Sequence, residues 1–360
     1  MSAEYAAADY DRDHRKSTIS LVRLLADAVS EFQASLCWSS IHVLGELVFT
    51  VSSNDVKAAE FLTHCLLPAE TKEGIPPSLE IFVLTGTSHP FALPPPWNLP
   101  HTDPRHLERL HLSPDGRVSA FYDHDRQFWM ILDKDSGRAL LWIAQAESLP
   151  FWEEAAPFKQ ILQWFFVGTR MSMLHGGVIS NSRCGALLAG AGGSGKSTTV
   201  AACFQAGLGV CGDDLMVVER SNMGWSAHAV YDAVKLSPND AIPTPPILEA
   251  APWRACGEKR LVRYTDASAN GFFRTTRLNA LIHCMVTGRA ASRLASISPS
   301  EMLRAIGPPT VFLLRGREAH ILKEVNELIR ALPCFRLELG GNPAEAALLL
   351  KDWLEGLADD

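Results

Sequence analysis

The chain contains 360 residues, with a formal net charge of −7 and a hydrophobic fraction of 47%. This length predicts two domains, or one large domain with an additional segment. The negative charge argues against an extended nucleic-acid-binding surface. No apolar run reaches the roughly 18–20 residues of a membrane span, and residues 1–16 lack the basic start and apolar stretch of a signal peptide. We therefore expect a cytoplasmic protein that contacts neither nucleic acid nor membrane.

The 8 cysteines and 12 histidines show no metal-binding pattern. No C-x-x-C pair or H-E-x-x-H spacing occurs, so a zinc site has no support. In a reducing compartment we expect most of the thiols to be buried apolar groups rather than disulfides.

The first 150 residues predict structure but no chemistry. Residues 1–16 are polar and carry both charge signs, which indicates a disordered tail. Residues 17–150 alternate helical and strand-like patterns, interrupted by proline clusters at 68–77 and 90–104, and predict a small α+β domain of unknown role. The elements expected in this domain are helices at 17–36 and 57–67 and strands at 41–51, 118–122, 128–132 and 139–143.

After residue 150 the elements become longer, and we expect residues 151–360 to form a second domain. A strand at 184–189 runs directly into a glycine-rich loop and a helix at 196–206. Downstream, a serine cap at Ser298 begins a helix that we expect to stop at Gly307-Pro308-Pro309. The other expected elements are a helix at 158–169, strands at 173–179 and 209–219, a hairpin turn at 221–224, and helices with apolar stripes at 321–332 and from 342 onward.

The strongest motif is G-x-x-x-x-G-K-S at residues 190–197, which lies between a strand and a helix as a phosphate-binding loop requires. Glycines let backbone N–H groups turn toward phosphates, and the helix N-terminus adds the positive end of its dipole. Lys196 would neutralise the β- and γ-phosphate oxygens, Ser197 would offer its hydroxyl to Mg²⁺, and Thr198 would contact the α-phosphate. The loop therefore predicts ATP and Mg²⁺ as cofactors. The residues expected to bind the nucleotide are Gly190, Ala191, Gly192, Gly193, Ser194, Gly195, Lys196, Ser197 and Thr198.

Two adjacent carboxylates, Asp213 and Asp214, begin seventeen residues after Lys196. Adjacent carboxylates repel each other unless a cation offsets their charge. One of them can hold Mg²⁺, directly or through water, while the other accepts the proton of an attacking hydroxyl. The residues alone do not decide which aspartate has which role. A turn between strands, where Asp is common, is the structural alternative.

His175 lies fifteen residues before Gly190, on a strand that we expect to neighbour the strand of the loop. A histidine at this place could orient or polarise the transferred group, or it could be an ordinary core residue with a satisfied hydrogen bond. Its placement makes it a catalytic candidate together with Asp213, Asp214 and Lys196.

The run from His175 through the glycine loop to Gly207 and Gly212-Asp213-Asp214 resembles the core of the HPr serine kinase/phosphorylase family, which is related to phosphoenolpyruvate carboxykinase. The resemblance spans about residues 155–355. It implies a mixed α/β and α+β architecture in which an HPr-kinase/PEP-carboxykinase-like P-loop domain follows a small α+β domain. It also implies that His175 lies near the transferred phosphoryl group, and that the aspartate pair supplies a general base and a metal contact.

The glycine-rich second signature of the bacterial HPr kinases has no counterpart after Asp214, which weakens the case for HPr itself as the substrate. Residues 230–236 instead resemble divergent HPr-kinase-like enzymes found with peptide natural products, including kinases that phosphorylate the C-terminal serine of lasso-peptide precursors. Within this resemblance Lys235 is either a phosphate or substrate contact or a solvated lysine at a strand end. Four arginines could supply further positive charge for the transfer or be ordinary surface residues. They are Arg263, Arg274, Arg277 and Arg293.

We therefore expect an ATP- and Mg²⁺-dependent kinase that phosphorylates a serine or threonine hydroxyl of a peptide or small protein, and that could form a homo-oligomer. Two alternatives stay open. One is a small-molecule or amino-acid kinase of the same fold. The other is a nucleotide-gated module that binds a peptide and hydrolyses ATP slowly. Tandem aspartates beside the phosphates favour a kinase over a simple switch.

Overall fold

The computed structural model describes residues 3–69, 75–86, 108–123, 125–237, 243–268, 270–314 and 316–359. The chain divides into two compact units, Met1–His64 with Pro68–Glu153 and Cys65–Leu67 with Glu154–Asp360. The proline-rich stretch expected at 90–104 lies outside the described residues. Every helix among the described residues is too short or too polar to cross a membrane.

The described part of the N-terminal unit is a seven-stranded sheet with two helices. Its elements are α1 (Ala3–Phe32), β1 (Trp38–Leu44), β2 (Leu47–Ser53), α2 (Val56–Thr63), β3 (Leu79–Thr85), β4 (Glu108–Leu112), β5 (Val118–Asp123), β6 (Phe128–Asp133) and β7 (Arg138–Ile143). The strand order is β1-β2-β3-β7-β6-β5-β4, in which the β2–β3 and β3–β7 pairs are parallel and the others antiparallel. The strands expected at β5, β6 and β7 are confirmed, and the β-rich run at 41–51 divides into β1 and β2.

Helix α1 packs one face against this sheet. Leu21, Leu25 and Val29 recur every four residues and are buried in one cluster with Trp129 and Trp142. Such spacing places apolar side chains on one helix face. The helix begins at Ala3, so residues 3–16 are helical rather than a disordered tail. The alanine-rich start has the high intrinsic helix propensity that outweighs its polar composition.

From residue 152 onward the described chain contains eight helices and twelve strands. They are α3 (Trp152–Ala155), α4 (Lys159–Phe166), β8 (Met171–His175), β9 (Gly177–Ser180), β10 (Gly185–Ala189), α5 (Lys196–Gln205), β11 (Gly209–Val210), β12 (Leu215–Ser221), β13 (Gly224–His228), β14 (Val234–Leu236), α6 (Pro246–Glu249), β15 (Trp253–Cys256), β16 (Lys259–Val262), α7 (Tyr264–Ala267), β17 (Thr275–Arg289), β18 (Arg293–Ser296), α8 (Pro299–Leu313), α9 (Glu318–Ala331), β19 (Cys334–Gly340) and α10 (Pro343–Asp359).

Nine of these strands form one sheet. Its path is β11-β9-β10-β17-β13-β12-β8, and the second half of β17 also pairs with β19, which pairs with β18. β17 is parallel to both β10 and β19, and the other pairs are antiparallel. Helices α5 and α10 contribute Val200, Phe204, Leu350 and Leu354 to a buried cluster that contains Ile282 of β17. β14, β16 and β15 form a separate antiparallel sheet in that order.

Two segments that we expected to be single strands each contribute to two places in the large sheet. Residues 173–179 separate into β8, which pairs with β12, and β9, which pairs with β10 and β11. Residues 209–219 separate into β11 and β12, because Gly212 and Asp214 have φ values of 97° and 72° that an extended strand does not accommodate. The aspartate pair therefore lies at an irregular point of the chain, outside any strand.

Helix α8 does not stop at Pro308-Pro309 but continues to Leu313. Ser298 caps its start as expected, because the Ser298 hydroxyl accepts a hydrogen bond from the Glu301 N–H at 3.3 Å. Prolines in a helix remove two backbone hydrogen bonds. The buried residues Met302, Ile306 and Thr310 continue one face of the helix past this point, so tertiary packing outweighs the loss.

Candidate functional site

The glycine loop joins the end of β10 to the start of α5. The Lys196 side chain is buried and folds back over the loop, where its Nζ donates to the carbonyls of Gly190 at 2.8 Å and Ala191 at 3.0 Å. Gly195 caps the helix with a φ of 92°, and a Cβ at this position would lie 2.4 Å from Leu339 Cδ1. The positive φ therefore favours glycine at residue 195, and any other residue would also require the Leu339 side chain to move. The positive end of the α5 dipole faces the same place.

A cavity of about 380 Å³ adjoins the loop. One wall consists of loop and helix residues from Gly193 to Thr198, together with Ala201 on the next turn of α5. The volume lies in the range of small-molecule sites. The remaining lining residues are Lys235, Leu236, Ser237, Pro243, Thr244, Pro245, Lys259 and Val286.

Asp213 lies beside the loop and is 3% exposed. Burial raises the pKa of its carboxyl to about 6, the neighbouring Asp214 adds to this rise, and the Ser197 hydroxyl opposes it. Its Oδ1 is buried without a hydrogen-bond partner, and a Cβ at Gly177 would lie 3.0 Å from that atom. A buried carboxylate oxygen without a partner is costly unless a cation or proton accompanies it.

These properties fit a divalent cation that Asp213 and the Ser197 hydroxyl would hold. Oxygen donors of this kind are what Mg²⁺ prefers, and Mg²⁺ commonly completes its shell with phosphate oxygens and water. Among the described residues, no three His, Cys, Asp or Glu side chains converge in a way that could hold a metal. A cation here would therefore need further ligands, such as phosphate oxygens or water, in addition to these two side chains.

Asp214 has a different environment from its neighbour. Lys235 Nζ donates to Asp214 Oδ2 at 2.5 Å, and His175 Nδ1 lies 3.4 Å from Oδ1. Burial acts to raise the pKa of Asp214, but the charge of Lys235 outweighs it, with a smaller contribution from His175 in its protonated form, so the pKa lies below its ordinary value. The side chain keeps 28% of its surface exposed. Asp214 is thus an ionised carboxylate that a ligand can approach.

The sheet brings His175 to the aspartates through the β8–β12 pair, in which His175 is opposite Leu215. The backbone N–H of His175 donates to the hydroxyl of Thr310 at 3.1 Å, which ties β8 to α8. Burial lowers the pKa of His175, although Asp214 opposes this. The imidazole is therefore predominantly neutral near pH 7. Four catalytic candidates, His175, Lys196, Asp213 and Asp214, lie around one site, and Lys235 joins them.

None of the four arginines lines the cavity beside the loop. Arg277 is on β17 just before Leu278, which pairs with Gly185 at the start of β10, whereas the loop follows the other end of that strand. At about 3.3 Å per residue, Arg277 is roughly 15–20 Å from the loop end of the strand. Arg274 directly precedes β17, and its backbone carbonyl accepts a hydrogen bond from the Ala229 N–H at 2.9 Å.

Arg293 and Arg263 lie away from the cavity for other reasons. Arg293 begins β18, which is three strand positions from β10, or roughly 14 Å at the usual strand spacing. Arg263 donates to the buried Asp232 at 3.2 Å and has a structural role there. Sequence distance alone did not indicate these positions, because they depend on strand direction and order.

Sequence reasoning did not single out several lining residues as site residues, namely Ala201, Ser237, Pro243, Thr244, Pro245, Lys259 and Val286. Lys259 and Val286 belong to strands without a motif, and only strand pairing places them at the cavity. Val286 carries a signal of its own, since it is a large apolar side chain that is 60% exposed near the loop. Exposed apolar side chains beside a cavity commonly contact ligand.

No family model matches the chain, and no curated protein matches it. Among solved structures, the Hpr(Ser) kinase/phosphatase from Coxiella burnetii is similar with a TM-score of 0.29 and 11% identity. The alignment covers 52% of this chain and 98% of that chain. Similarity at this level does not establish a shared fold, so the functional interpretation depends on the residues of this chain.

Proposed function

We propose that the protein is an ATP- and Mg²⁺-dependent kinase that transfers the γ-phosphoryl group to a serine or threonine hydroxyl of a peptide or small protein. The observation that carries the proposal is the pair of unlike carboxylates beside the loop. Asp213 is buried next to Ser197, and Asp214 is ionised, accessible and held by Lys235. A site that only bound nucleotide would need no accessible carboxylate in addition to the one that faces the cation.

The two environments support different roles. Asp213 and Ser197 would hold Mg²⁺, which when bound neutralises charge on the phosphates. Asp214 would accept the proton of the attacking hydroxyl, because a general base must be ionised and within reach of the acceptor. Neutral His175, 3.4 Å from Asp214, would orient that carboxylate. Lys196 and the loop amides would hold the β- and γ-phosphates.

The nature of the acceptor is supported by the sequence resemblance. The glycine-rich second signature of the HPr kinases is missing, and residues 230–236 resemble those of the enzymes that modify peptide natural products. A C-terminal serine, as in lasso-peptide precursors, is the acceptor that this resemblance favours.

The test is intact-mass analysis of a precursor-type peptide with a C-terminal serine after incubation with the full-length protein, ATP and Mg²⁺. We expect the peptide to gain one phosphoryl group. A peptide in which only the terminal serine is replaced by alanine should gain none. ATP consumption without phosphorylation of the serine peptide, or of a panel of serine- and threonine-containing peptides, would contradict the proposal and favour the nucleotide-gated module. Phosphorylation of free amino acids alone would favour the small-molecule kinase.

A further inference from the structure

The small sheet β14-β16-β15 presents an unusual distribution of charge beside the cavity. Most of its basic side chains, and the arginine directly after β16, are paired with a carboxylate. The pairs are Lys235–Asp214 at 2.5 Å, Arg254–Glu154 at 3.3 Å, Arg260–Glu249 at 2.8 Å and Arg263–Asp232 at 3.2 Å. Lys259 is the exception, because no carboxylate among the described residues lies within ion-pair distance of it.

The strand register places Lys259 on the same face as Lys235. Lys235 is opposite Leu261, and Lys259 precedes Leu261 by two residues on β16. Side chains two residues apart on a strand point to the same face, so the two lysines are diagonal neighbours about 7–8 Å apart at the backbone. Both line the cavity that also contacts Thr198 and Ala201 of α5.

The charge of Lys235 is already offset by Asp214, whereas no carboxylate in the described part of the chain lies within ion-pair distance of Lys259. A nucleoside triphosphate carries more negative charge than Lys196 and one divalent cation neutralise. The cavity wall beside Lys259 includes Leu236, Pro243 and Pro245, which offer an apolar surface to the nucleoside. Lys259 lines the same cavity as the loop and helix residues Gly193 to Thr198, next to which the phosphate chain of a bound nucleotide would lie.

We propose that Lys259 binds a phosphate oxygen of the nucleotide from the side opposite the glycine loop, so that the phosphate chain is held between α5 and the β14–β16 sheet. This inference rests on the proposed nucleotide binding and adds a residue that belongs to none of the motifs. The lysine acts through its charge and its N–H groups, which are the usual contacts of lysine with phosphate.

The test is calorimetric titration of the full-length protein with MgATP and, separately, with pyrophosphate. Lys259→Met should weaken both by about tenfold, which is the usual effect of losing one charge-assisted hydrogen bond. Lys259→Arg should keep binding within about threefold, because the charge and donors remain. The loss in Lys259→Met should shrink at high salt, since salt screens exposed charges. Lys323→Met, on the exposed surface of α9, is the matched control and should bind as the wild type does.

Equal affinity of the wild type and Lys259→Met for both ligands would overturn this inference while leaving the proposed kinase intact. Weaker binding of MgATP with unchanged binding of pyrophosphate would also overturn it, because the contact would then be with the nucleoside. Failure of the wild type to bind either ligand would overturn the proposed function together with the inference. Circular dichroism of each variant separates a binding defect from a folding defect.

Discussion

Two regions of the C-terminal unit each bury an aspartate, and they differ in how its carboxylate is paired. Asp232 is 0% exposed and Asp213 is 3% exposed. Both oxygens of Asp232 are engaged, by the Thr265 N–H at 3.1 Å, by Arg263 Nε at 3.2 Å and by the Thr265 hydroxyl. Asp213 has one buried oxygen without a partner, and burial raises its pKa to about 6.

The difference shows that burial does not by itself identify a functional carboxylate. Asp232 is paired as a structural group must be, since buried polar groups in folded proteins nearly always have partners. Asp213 departs from that rule beside Ser197 and the glycine loop, where a ligand could supply what is missing. The state of the hydrogen bonds, rather than the exposure, distinguishes the two regions.

The largest expected effect concerns the proposed phosphoryl transfer and tests whether the carboxylates beside the loop differ in role from Asp232. Asp214→Asn should lower the rate of phosphoryl transfer by about 10³-fold, because the amide cannot accept the proton of the hydroxyl. Nucleotide affinity, measured by calorimetry, should change by only a few-fold. Asp266→Asn, a change of the same kind at a partly exposed carboxylate paired with Arg263, should leave the rate unchanged. A near wild-type rate in Asp214→Asn would remove Asp214 as the base.

The next effect is on stability at the paired aspartate. Asp232→Asn should lower the free energy of unfolding by about 3–4 kcal/mol, because it leaves the Arg263 guanidinium without its buried counter-charge. Urea unfolding followed by circular dichroism measures this. Asp266→Asn serves again as the control and should cost less than about 1 kcal/mol, since its ion pair is partly exposed. If Asp232→Asn and Asp266→Asn were equally stable, Asp232 would not have the structural role inferred from its paired carboxylate.

The smallest effect is a gain in stability when the carboxylate of Asp213, which has one oxygen without a partner, is replaced. The pKa of Asp213 rises from 3.8 to about 6 on folding, a difference of roughly two units, which corresponds to about 3 kcal/mol at most. Because the folded pKa is the higher one, the protonated carboxyl favours the folded state, and wild-type stability falls as pH rises from about 4 to about 6.

The amide of Asp213→Asn cannot ionise, so this variant should not lose stability as the pH rises. Without nucleotide or Mg²⁺, we expect it to be more stable than the wild type by up to about 3 kcal/mol above pH 6, with the difference vanishing near pH 4. Urea unfolding across pH 4–8 tests the prediction. A variant that is less stable than the wild type at every pH would show that the Asp213 carboxylate is satisfied in the folded state.

The local structure around the site was largely predictable from sequence. The strand at 184–189, the helix at 196–206 and the hairpin turn at 221–224 follow from local pattern, and the structure has β10, α5 and the β12–β13 hairpin there. The glycine loop and the nearby aspartates were readable because their spacing is short and their chemistry is carried by residue type. Proximity along the chain and proximity in space coincide for these residues.

The rest of the site depends on strand order and register, which pattern does not specify. Arg277 and Lys259 illustrate this. Both are basic residues on strands, but the parallel direction of β17 carries Arg277 away from the loop while the β14–β16 register brings Lys259 to it. The continuation of α8 through Pro308-Pro309 likewise depends on burial of one helix face, which overrides local propensity.

The contacts of Lys196 have a consequence for how the loop recognises its ligand. An ammonium group has three N–H bonds, and the carbonyls of Gly190 and Ala191 accept two of them. These two acceptors fix the direction of the third N–H, so the loop carbonyls orient the ammonium group of Lys196. If the loop binds a phosphate as proposed, Lys196 would contact it along that one direction, so the position of the phosphate oxygen would matter in addition to its charge.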